Sequence, residues 1–367
     1  MSALRPLPRW ADVVLLPILN LLLALIVSGL VVLAIGHNPF TAIWAIITGA
    51  FGNGYNIGYT LYYATNFVFT GLAVALAAHG GLFNIGGNGQ AYVAGLGVIT
   101  VALALQDTHW LIIAPVALLA AALFGGAWAF IPGYLQAKRG SHVVITTIMF
   151  NFIASALMIY MLNRVLKPVG VSGPESAMIA EAARMPKLGQ FFPIFNYTPV
   201  NLSIIVAILA LIGVYILVWH TRFGYALRVM GQNPTASRYA GISNSRMIII
   251  TMTLSGALAG MVAFNEVLGV QNRLVLDFVA DAGFVGIAVA LMGRNHPIGI
   301  AFAALLFGAL QAGGNRMQSY SGISLELVTV LQALIVIFIA APALVKTIFQ
   351  LRAARAARLQ TSLAKGW

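Results

Sequence analysis

The 367-residue chain contains no cysteine and few charged residues. The absence of cysteine excludes disulfide bonds, thiol catalysis, iron–sulfur clusters and zinc sites built on thiolates. Charged residues make up 8% of the chain and apolar residues 60%, whereas soluble domains carry about 25% charged residues. This composition excludes both an ordinary soluble protein and a disordered one.

Long apolar runs dominate the sequence, and a helix needs about 20 such residues to cross a bilayer. They predict an all-α polytopic membrane protein with about ten transmembrane helices, and they exclude a membrane barrel, whose strands alternate. The stretch 40–51 is too short to cross and is expected to be interfacial or re-entrant. The ten runs are 13–35, 57–78, 89–105, 111–137, 142–162, 200–219, 247–268, 276–293, 298–312 and 325–345.

The first run exceeds the core of a signal peptide, about 7–15 residues, so we expect it to be a retained span.

The net charge of +12 would suggest nucleic-acid binding in a soluble protein, but in a membrane protein the distribution of basic residues sets the orientation. With ten spans and both termini cytoplasmic, 14 of the 20 basic residues fall inside. The six outside are Arg164, Lys167, Arg184, Lys187, Arg273 and Arg316.

We therefore expect one transmembrane domain over 1–367. Segment 163–199 would be extracytoplasmic, segment 221–246 cytoplasmic, and 346–367 a basic cytoplasmic tail at the inner leaflet. An inverted repeat is expected as in many transporters, although it leaves almost no trace in one sequence.

Several kinds of site are missing from the sequence. No Gly-x-x-x-x-Gly-Lys-Ser/Thr motif occurs, so the chain does not bind ATP phosphates by itself. The six histidines are scattered without metal-ligand spacing, and no set of catalytic residues stands out. Carboxylates that could couple transport to an ion are few: Glu266, Asp277 and Asp281 lie near the outer boundary, where we expect them to be solvated.

The segment 80–90 (Gly-Gly-Leu-Phe-Asn-Ile-Gly-Gly-Asn-Gly-Gln) interrupts an apolar region with five glycines and three amides. Glycine destabilises helices, so we expect a break here. Broken backbone at membrane depth occurs where it lines a cavity or is buried in protein, and it marks substrate sites in many transporters. We expect Phe83 to stack on an uncharged polar solute and Asn84, Asn88 and Gln90 to hydrogen-bond to it. A simple inner loop is the alternative.

The inner segment 221–246 carries four arginines and no acid. A short helix is predicted up to Gly231, and a second would start with Asn233 as N-cap and Pro234 at its first position. Gly241 would stop this second helix. Two capped helices form a rigid elbow, whose charge suits an acidic partner or lipid headgroups. A plain positive-inside loop would account for the arginines but not for the caps.

A third motif, Met292-Gly-Arg-Asn-His-Pro297, separates two apolar runs, and we interpret it as a structural turn with an inside anchor. The three motifs together resemble ABC importer permeases for nucleosides and simple sugars, in the branched-chain amino acid/ribose permease superfamily. Gly81-Leu-Phe-Asn-Ile-Gly86 with Gly89-Gln90 resembles the signature of that family, and Phe83 to Gly86 favours its nucleoside branch. Arg228 to Ile242 resembles the coupling segment, and 293–297 is typical of the nucleoside branch.

The resemblance implies a permease subunit in a bacterial cytoplasmic (inner) membrane. It would carry nucleosides, most specifically purine nucleosides such as guanosine, without enzyme activity or cofactor of its own. ATP and Mg²⁺ would bind a separate cytoplasmic ATPase. The other implied partners are a second related permease in a heteromeric pore and an extracytoplasmic solute-binding protein docking on 163–199. The residues expected to couple to the ATPase are Arg228, Gly231, Asn233, Pro234 and Gly241.

Two positions depart from the family pattern. Many members have an acid where Asn88 stands, and Ser237 replaces a frequent alanine. The nearest rival substrate is a simple sugar such as ribose. A different class, the ion-coupled secondary transporter, would need Glu266, Asp277 and Asp281 to bind the coupling ion and would not need the elbow.

Overall fold

The computed structural model describes residues 16–322 and 324–340, and every regular element among them is a helix. Two helices, α6 and α10, continue as π-helix over Met161–Val165 and Phe264–Gln271. The helices are α1 Leu16–Ala34, α2 Pro39–Phe51, α3 Gly54–His79, α4 Gly87–Ala104, α5 Trp110–Arg139, α6 Val143–Tyr160, α7 Ser203–His220, α8 Arg222–Gln232, α9 Pro234–Tyr239, α10 Asn244–Ala263, α11 Ala282–Met292, α12 Pro297–Ser321 and α13 Glu326–Ala340.

Six helices among the described residues are long and apolar enough to cross a bilayer, which confirms an all-α membrane protein with several spans. They are α3, α5, α6 with its π-helical end, α7, α10 with its π-helical end, and α12. The number ten is not reached by this measure over the described residues, where four further apolar helices are shorter: Leu22–Ala34, Pro39–Phe51, Ala282–Met292 and Glu326–Ile335. The predicted basic tail 346–367 lies outside these residues.

The apolar run 276–293 differs most from its prediction. Its only helix is α11, which has 11 residues and is therefore about 16 Å long, roughly half of a bilayer core. By contrast, the run 298–312, which looked short for a span, belongs to α12, a helix of 25 residues. The short stretch 40–51 forms α2 with 13 residues, about 20 Å, which is too short to cross, as predicted.

The described chain divides into two compact units. The central unit, Ile46–Gly313, has α3, α4, α5 and α10 at its centre, with α5 and α10 in the most extensive contact. Small residues permit this approach: side chains at Gly256 and Gly260 would collide with the backbone of α5. In the other unit, which combines residues up to Ala45 with those from Gly314, α1 packs against α13.

Candidate functional site

The chain is interrupted between α3 and α4 by the non-helical segment 80–86. Gly81 has a φ of +70°, a left-handed conformation that glycine adopts without steric cost. The predicted interruption is therefore present, but it is shorter than 81–90. Gly87 already begins α4, so that Asn88 and Gln90 lie in its first turn.

Two of the predicted solute-binding amides, Asn84 and Gln90, bind each other. The Asn84 Nδ2 donates to Gln90 Oε1 at 3.0 Å, and the Gln90 Nε2 donates to Asn84 Oδ1 at 2.9 Å. Asn84 also donates to the Ser255 hydroxyl at 2.8 Å and accepts from the Gly86 amide at 2.9 Å. Both amides are 1% exposed. This arrangement, the amide clamp Asn84–Gln90, fixes the backbone of the interruption.

Asn151, on α6, braces the same segment from the other side, and the sequence reasoning did not single it out. Its Oδ1 accepts from the Gly89 amide at 2.9 Å, and its Nδ2 donates to the Ile85 carbonyl at 2.9 Å. These are backbone groups that a broken helix leaves without helical partners. The sequence signal for this role was an amide side chain within the apolar run 142–162.

Asn88 joins the N-terminal ends of two helices, α4 and α11. Its Oδ1 accepts from the Gly283 amide at 2.8 Å, and its Nδ2 donates to Asp281 Oδ1 at 3.1 Å. The backbones meet closely here, since a Cβ on Gly87 would lie 3.1 Å from the Gly283 Cα. Discontinuous helices whose N-termini converge are the architecture of many transporter sites.

The segment leading into α11 combines exposed carboxylates with unusual backbone geometry. Asp277, Ala280 and Asp281 have φ values of 58°, 43° and 59°, a region that non-glycine residues seldom adopt. Such residues cluster at functional sites, where the surroundings hold them in place. Asp277 accepts from the Tyr92 hydroxyl at 2.9 Å. Both carboxylates are exposed, as expected for solvated groups.

Phe83 lies within the interruption and is partly exposed. Of the four residues predicted for the solute path, two thus form a pair. Asn84 and Gln90 are engaged with each other, whereas Asn88 contacts Asp281 at the junction of α4 and α11.

Glu266 departs from its prediction, because the structure buries it. It is 2% exposed, in the π-helical end of α10, so the expectation of a solvated carboxylate there is wrong. Its Oε1 accepts from the Tyr62 hydroxyl and from Asn66 Nδ2, each at 2.6 Å. A buried carboxylate needs such donors, because its desolvation is otherwise costly.

The hydrogen bonds continue beyond this carboxylate to the start of α7. Asn265 donates to Asn66 Oδ1 at 2.8 Å and accepts from Asn201 at 2.8 Å and from Ser203 at 2.6 Å. The polar residues of α3, α7 and α10 therefore form one network, which we call the Glu266 network. The spacing of Tyr62 and Asn66, one helical turn apart in an apolar run, was its sequence signal.

The inner elbow is present as α8 and α9. The Asn233 Oδ1 accepts from the Thr235 and Ala236 amides, each at 3.0 Å, and Pro234 opens α9. The predicted N-cap is therefore confirmed. Gly241 follows α9 with a φ of +75°, as a helix stop requires. Helix α8 runs from Arg222 to Gln232, one residue past the predicted stop.

Gly231 places the elbow against the interruption. A Cβ on Gly231 would collide with the His79 carbonyl oxygen and come within 3.0 Å of Gly80 and Gly81 backbone atoms. Arg228, one turn earlier, is partly exposed. Gly231 and the interruption at Gly81, 150 positions apart in sequence, are thus in direct backbone contact.

The motif 293–297 forms the turn between α11 and α12, as predicted. Arg294 and Asn295 have φ values of 52° and 56°, and the Asn295 carbonyl lies 3.0 Å from His79 Nε2. This contact ties the turn to the end of α3, next to the interruption. All three motifs therefore converge around His79 and Gly81.

Comparisons with known proteins show which family the chain resembles. A family model described as "Branched-chain amino acid transport system / permease component" matches residues 56–340. The chain is 37% identical to the guanosine ABC transporter permease protein NupP of Bacillus subtilis, over 89% of this chain and 92% of that protein. It is 35% identical to the nucleoside ABC transporter permease protein NupB of Lactococcus lactis, over 89% and 90%.

A third relative has a different substrate in its name. The chain is 31% identical to the glucose ABC transporter permease protein TsgB13 of Haloferax volcanii, over 91% of this chain and 89% of that protein. No solved structure matches the chain.

Proposed function

We propose that this chain, which belongs to the family of branched-chain amino acid transport system permease components, carries purine nucleosides such as guanosine as the permease subunit of an ABC importer. The chain is a multi-pass membrane transport subunit. The observation that carries the nucleoside assignment is the similarity to guanosine and nucleoside permeases along nearly nine-tenths of the sequence.

We place the solute path at the junction of α4 and α11. Exposed carboxylates are costly in lipid, so the face that carries Asp277 and Asp281 is expected to border water. Asn88 and Asp281 offer a donor and acceptors to a nucleoside, and Phe83 offers a ring for its base. Asn84 and Gln90 stay candidates for solute contact in a conformation that opens the amide clamp; in this one they hold the path in shape.

An inverted repeat is supported by the way two helix pairs are built. Helix α3, the interruption and the buried start of α4 correspond to α10, the segment 272–281 and the half-length helix α11. Helix α3 packs on α11, α4 packs on α10, and α3 packs on α10, as a pseudo-two-fold relation predicts. With ten spans and cytoplasmic termini, the outer end of α3 meets 163–199, which agrees with the contacts of Gly54 and Gly58 to Ile194 and Thr198.

Coupling to ATP hydrolysis is assigned to the elbow α8–α9. A separate cytoplasmic ATPase that binds ATP and Mg²⁺ would push on Arg228, Asn233, Pro234 and Gly241. Because Gly231 is in contact with the interruption, movement of α8 displaces the backbone next to the solute path. The contact supplies a short mechanical route from the nucleotide cycle to the pore.

The remaining partners are proposed from membership of the same permease family. A second related permease chain would complete the pore across the face that bears Asp277 and Asp281. A solute-binding protein would deliver the nucleoside to the segment 163–199 from outside the bacterial inner membrane. That segment is held in place by an ion pair between Glu175 and Arg273, 2.9 Å.

Uptake of labelled guanosine, adenosine and ribose tests the proposal in cells that lack the chain and in cells with it restored. ATP and the proton gradient are depleted separately. We expect nucleoside uptake that needs the chain and ATP and survives collapse of the gradient. Uptake that stops with the gradient while ATP stays high would indicate a secondary transporter instead.

A simple sugar is the second candidate substrate, favoured by the similarity to the glucose permease TsgB13. Ribose uptake that depends on the chain, without nucleoside uptake, would move the assignment to that candidate.

A further inference from the structure

A surface groove lies between α7 and α12 in the central unit. Its volume is about 480 Å³, within the range of about 300–1,000 Å³ that is typical of ligand pockets. Ile208 and Ile212 line one wall, and Ile298 and Phe302 line the other. Each of these four side chains is at least half exposed. Among the eight lining residues, Tyr215 alone carries a polar side-chain atom.

Tyr215 connects the apolar groove to a cluster of rings at the end of α7. Its ring centroid lies 5.5 Å from that of Trp219, 5.1 Å from His220 and 5.9 Å from His296. Trp219 also packs against His296 at 4.9 Å. Aromatic rings with polar tips of this kind concentrate where a membrane meets water. We call this cluster the aromatic rim.

The aromatic rim contains hydrogen-bond donors that the protein does not use. In the described part of the chain, neither the Tyr215 hydroxyl nor the Trp219 indole N–H has a hydrogen-bond partner. His220 is exposed, and its recorded contact is with the Tyr215 ring. Donors at the edge of an apolar groove suit a ligand with an apolar chain and an oxygen-rich head.

The charge around the aromatic rim indicates which kind of head group the ligand carries. Arg222 follows His220 by two residues and is exposed. Neither 203–246 nor 282–313 contains an aspartate or a glutamate. The rim is therefore positively charged without neighbouring carboxylates on these segments, which favours an anionic group.

We propose that the groove binds an anionic phospholipid, with an acyl chain between α7 and α12 and the phosphate at the aromatic rim. Both helices are long enough to span the bilayer, so the groove between them is open to acyl chains. The rim also contacts the end of α3, next to the interruption: His79, the last residue of α3, packs edge-on against Trp219 at 5.0 Å. A bound lipid therefore supports the region where the elbow meets the solute path.

Native mass spectrometry of the detergent-purified transporter tests this site, after equal exposure to phosphatidylglycerol or phosphatidylcholine. We expect one tightly retained phosphatidylglycerol per copy of this chain and much less phosphatidylcholine. Ile212→Trp fills the groove and should abolish retention. Leu209→Trp is the matched control, because Leu209 lies on the same helix, is 61% exposed against 50% for Ile212, and does not line the groove.

A third variant tests the lipid head group separately from the acyl chain. Arg222→Gln should lower the preference for phosphatidylglycerol over phosphatidylcholine about fivefold, the contribution of one basic residue near an anionic surface. Equal retention of both lipids by the wild type, or equal loss in Ile212→Trp and Leu209→Trp, would overturn the proposal. So would a complex in which Ile212→Trp releases a second permease chain, because the groove would then be a protein interface.

Discussion

Gly231 in α8 packs against the backbone of Gly81 in the interruption between α3 and α4, so that a Cβ on Gly81 would lie 3.3 Å from the Gly231 Cα. Neither residue offers a side chain through which the contact could adjust. Interfaces of this kind shift as rigid bodies, because packed backbone is not continuously deformable. A displacement of α8 is thus passed on to the segment that holds Asn84 and leads to Asn88.

Gly231→Ala should disconnect the elbow from the interruption. The added methyl collides with the His79 carbonyl, so α8 must move away from the segment 80–81. We expect nucleoside uptake by the assembled transporter to fall at least tenfold while its ATPase activity persists. Gly213→Ala is the control, since a Cβ at this helical glycine meets nothing within 4 Å. Equal uptake in the two variants would contradict the coupling role of this contact.

Asn233→Ala should weaken the elbow itself. The substitution removes the acceptor for two amides at the start of α9 and costs about 1 kcal/mol of helix stability. Uptake should drop relative to ATP hydrolysis, whereas Asn233→Asp, which keeps an acceptor, should retain most of the uptake. Measurement of transported nucleoside per ATP hydrolysed checks this, and an unchanged ratio in Asn233→Ala would remove the cap from the coupling mechanism.

Gln90→Leu tests what the amide clamp does. The change leaves the buried Asn84 amide without two of its four hydrogen bonds, and a buried polar group that loses its partner costs about 1–3 kcal/mol. We expect a lower melting temperature of the purified transporter but the same KM for guanosine. If instead the KM rises and the melting temperature stays constant, Gln90 contacts the solute, as the sequence alone suggested.

The sequence was informative wherever local chemistry decides the structure. The long apolar helices, the interruption near Gly81 and the Asn233–Pro234 cap all follow from propensities and capping rules that act over a few residues. The third motif was also recognisable as a turn, because Gly293 and Pro297 bracket it.

Contacts between distant segments were not predictable in this way. Glu266 was expected in solvent because the sequence does not show which helices surround it. Tyr62 and Asn66, which donate hydrogen bonds to it, lie 200 or more positions earlier in the chain. The half-length of α11 was not predicted either. Its apolar run is as long as a span, but Asp277, Ala280 and Asp281 adopt left-handed conformations that delay the start of the helix to Ala282.

Asp281→Asn should weaken transport without weakening the fold. An asparagine can still accept the hydrogen bond from Asn88 Nδ2, so the junction of α4 and α11 keeps its contact while the charge is lost. We expect a reduced rate of ATP-dependent nucleoside uptake and an unchanged melting temperature. Asp107→Asn, which removes an exposed carboxylate from the turn between α4 and α5, is the control. Comparable uptake in both variants would take the Asp281 carboxylate out of the solute path.

Glu266→Gln distinguishes an ATP-driven importer from an ion-coupled transporter. A glutamine keeps a carbonyl oxygen that can accept from Tyr62 and Asn66, so the Glu266 network can persist without the negative charge. In an importer driven by ATP, no step needs that charge to bind a coupling ion, and uptake should stay within about twofold of the wild type. Glu266→Ala, which leaves both donors buried without an acceptor, should instead lower the melting temperature. If Glu266→Gln abolishes uptake while the protein remains as stable as the wild type, the carboxylate carries charge during transport, and the gradient rather than ATP hydrolysis becomes the driving force to examine.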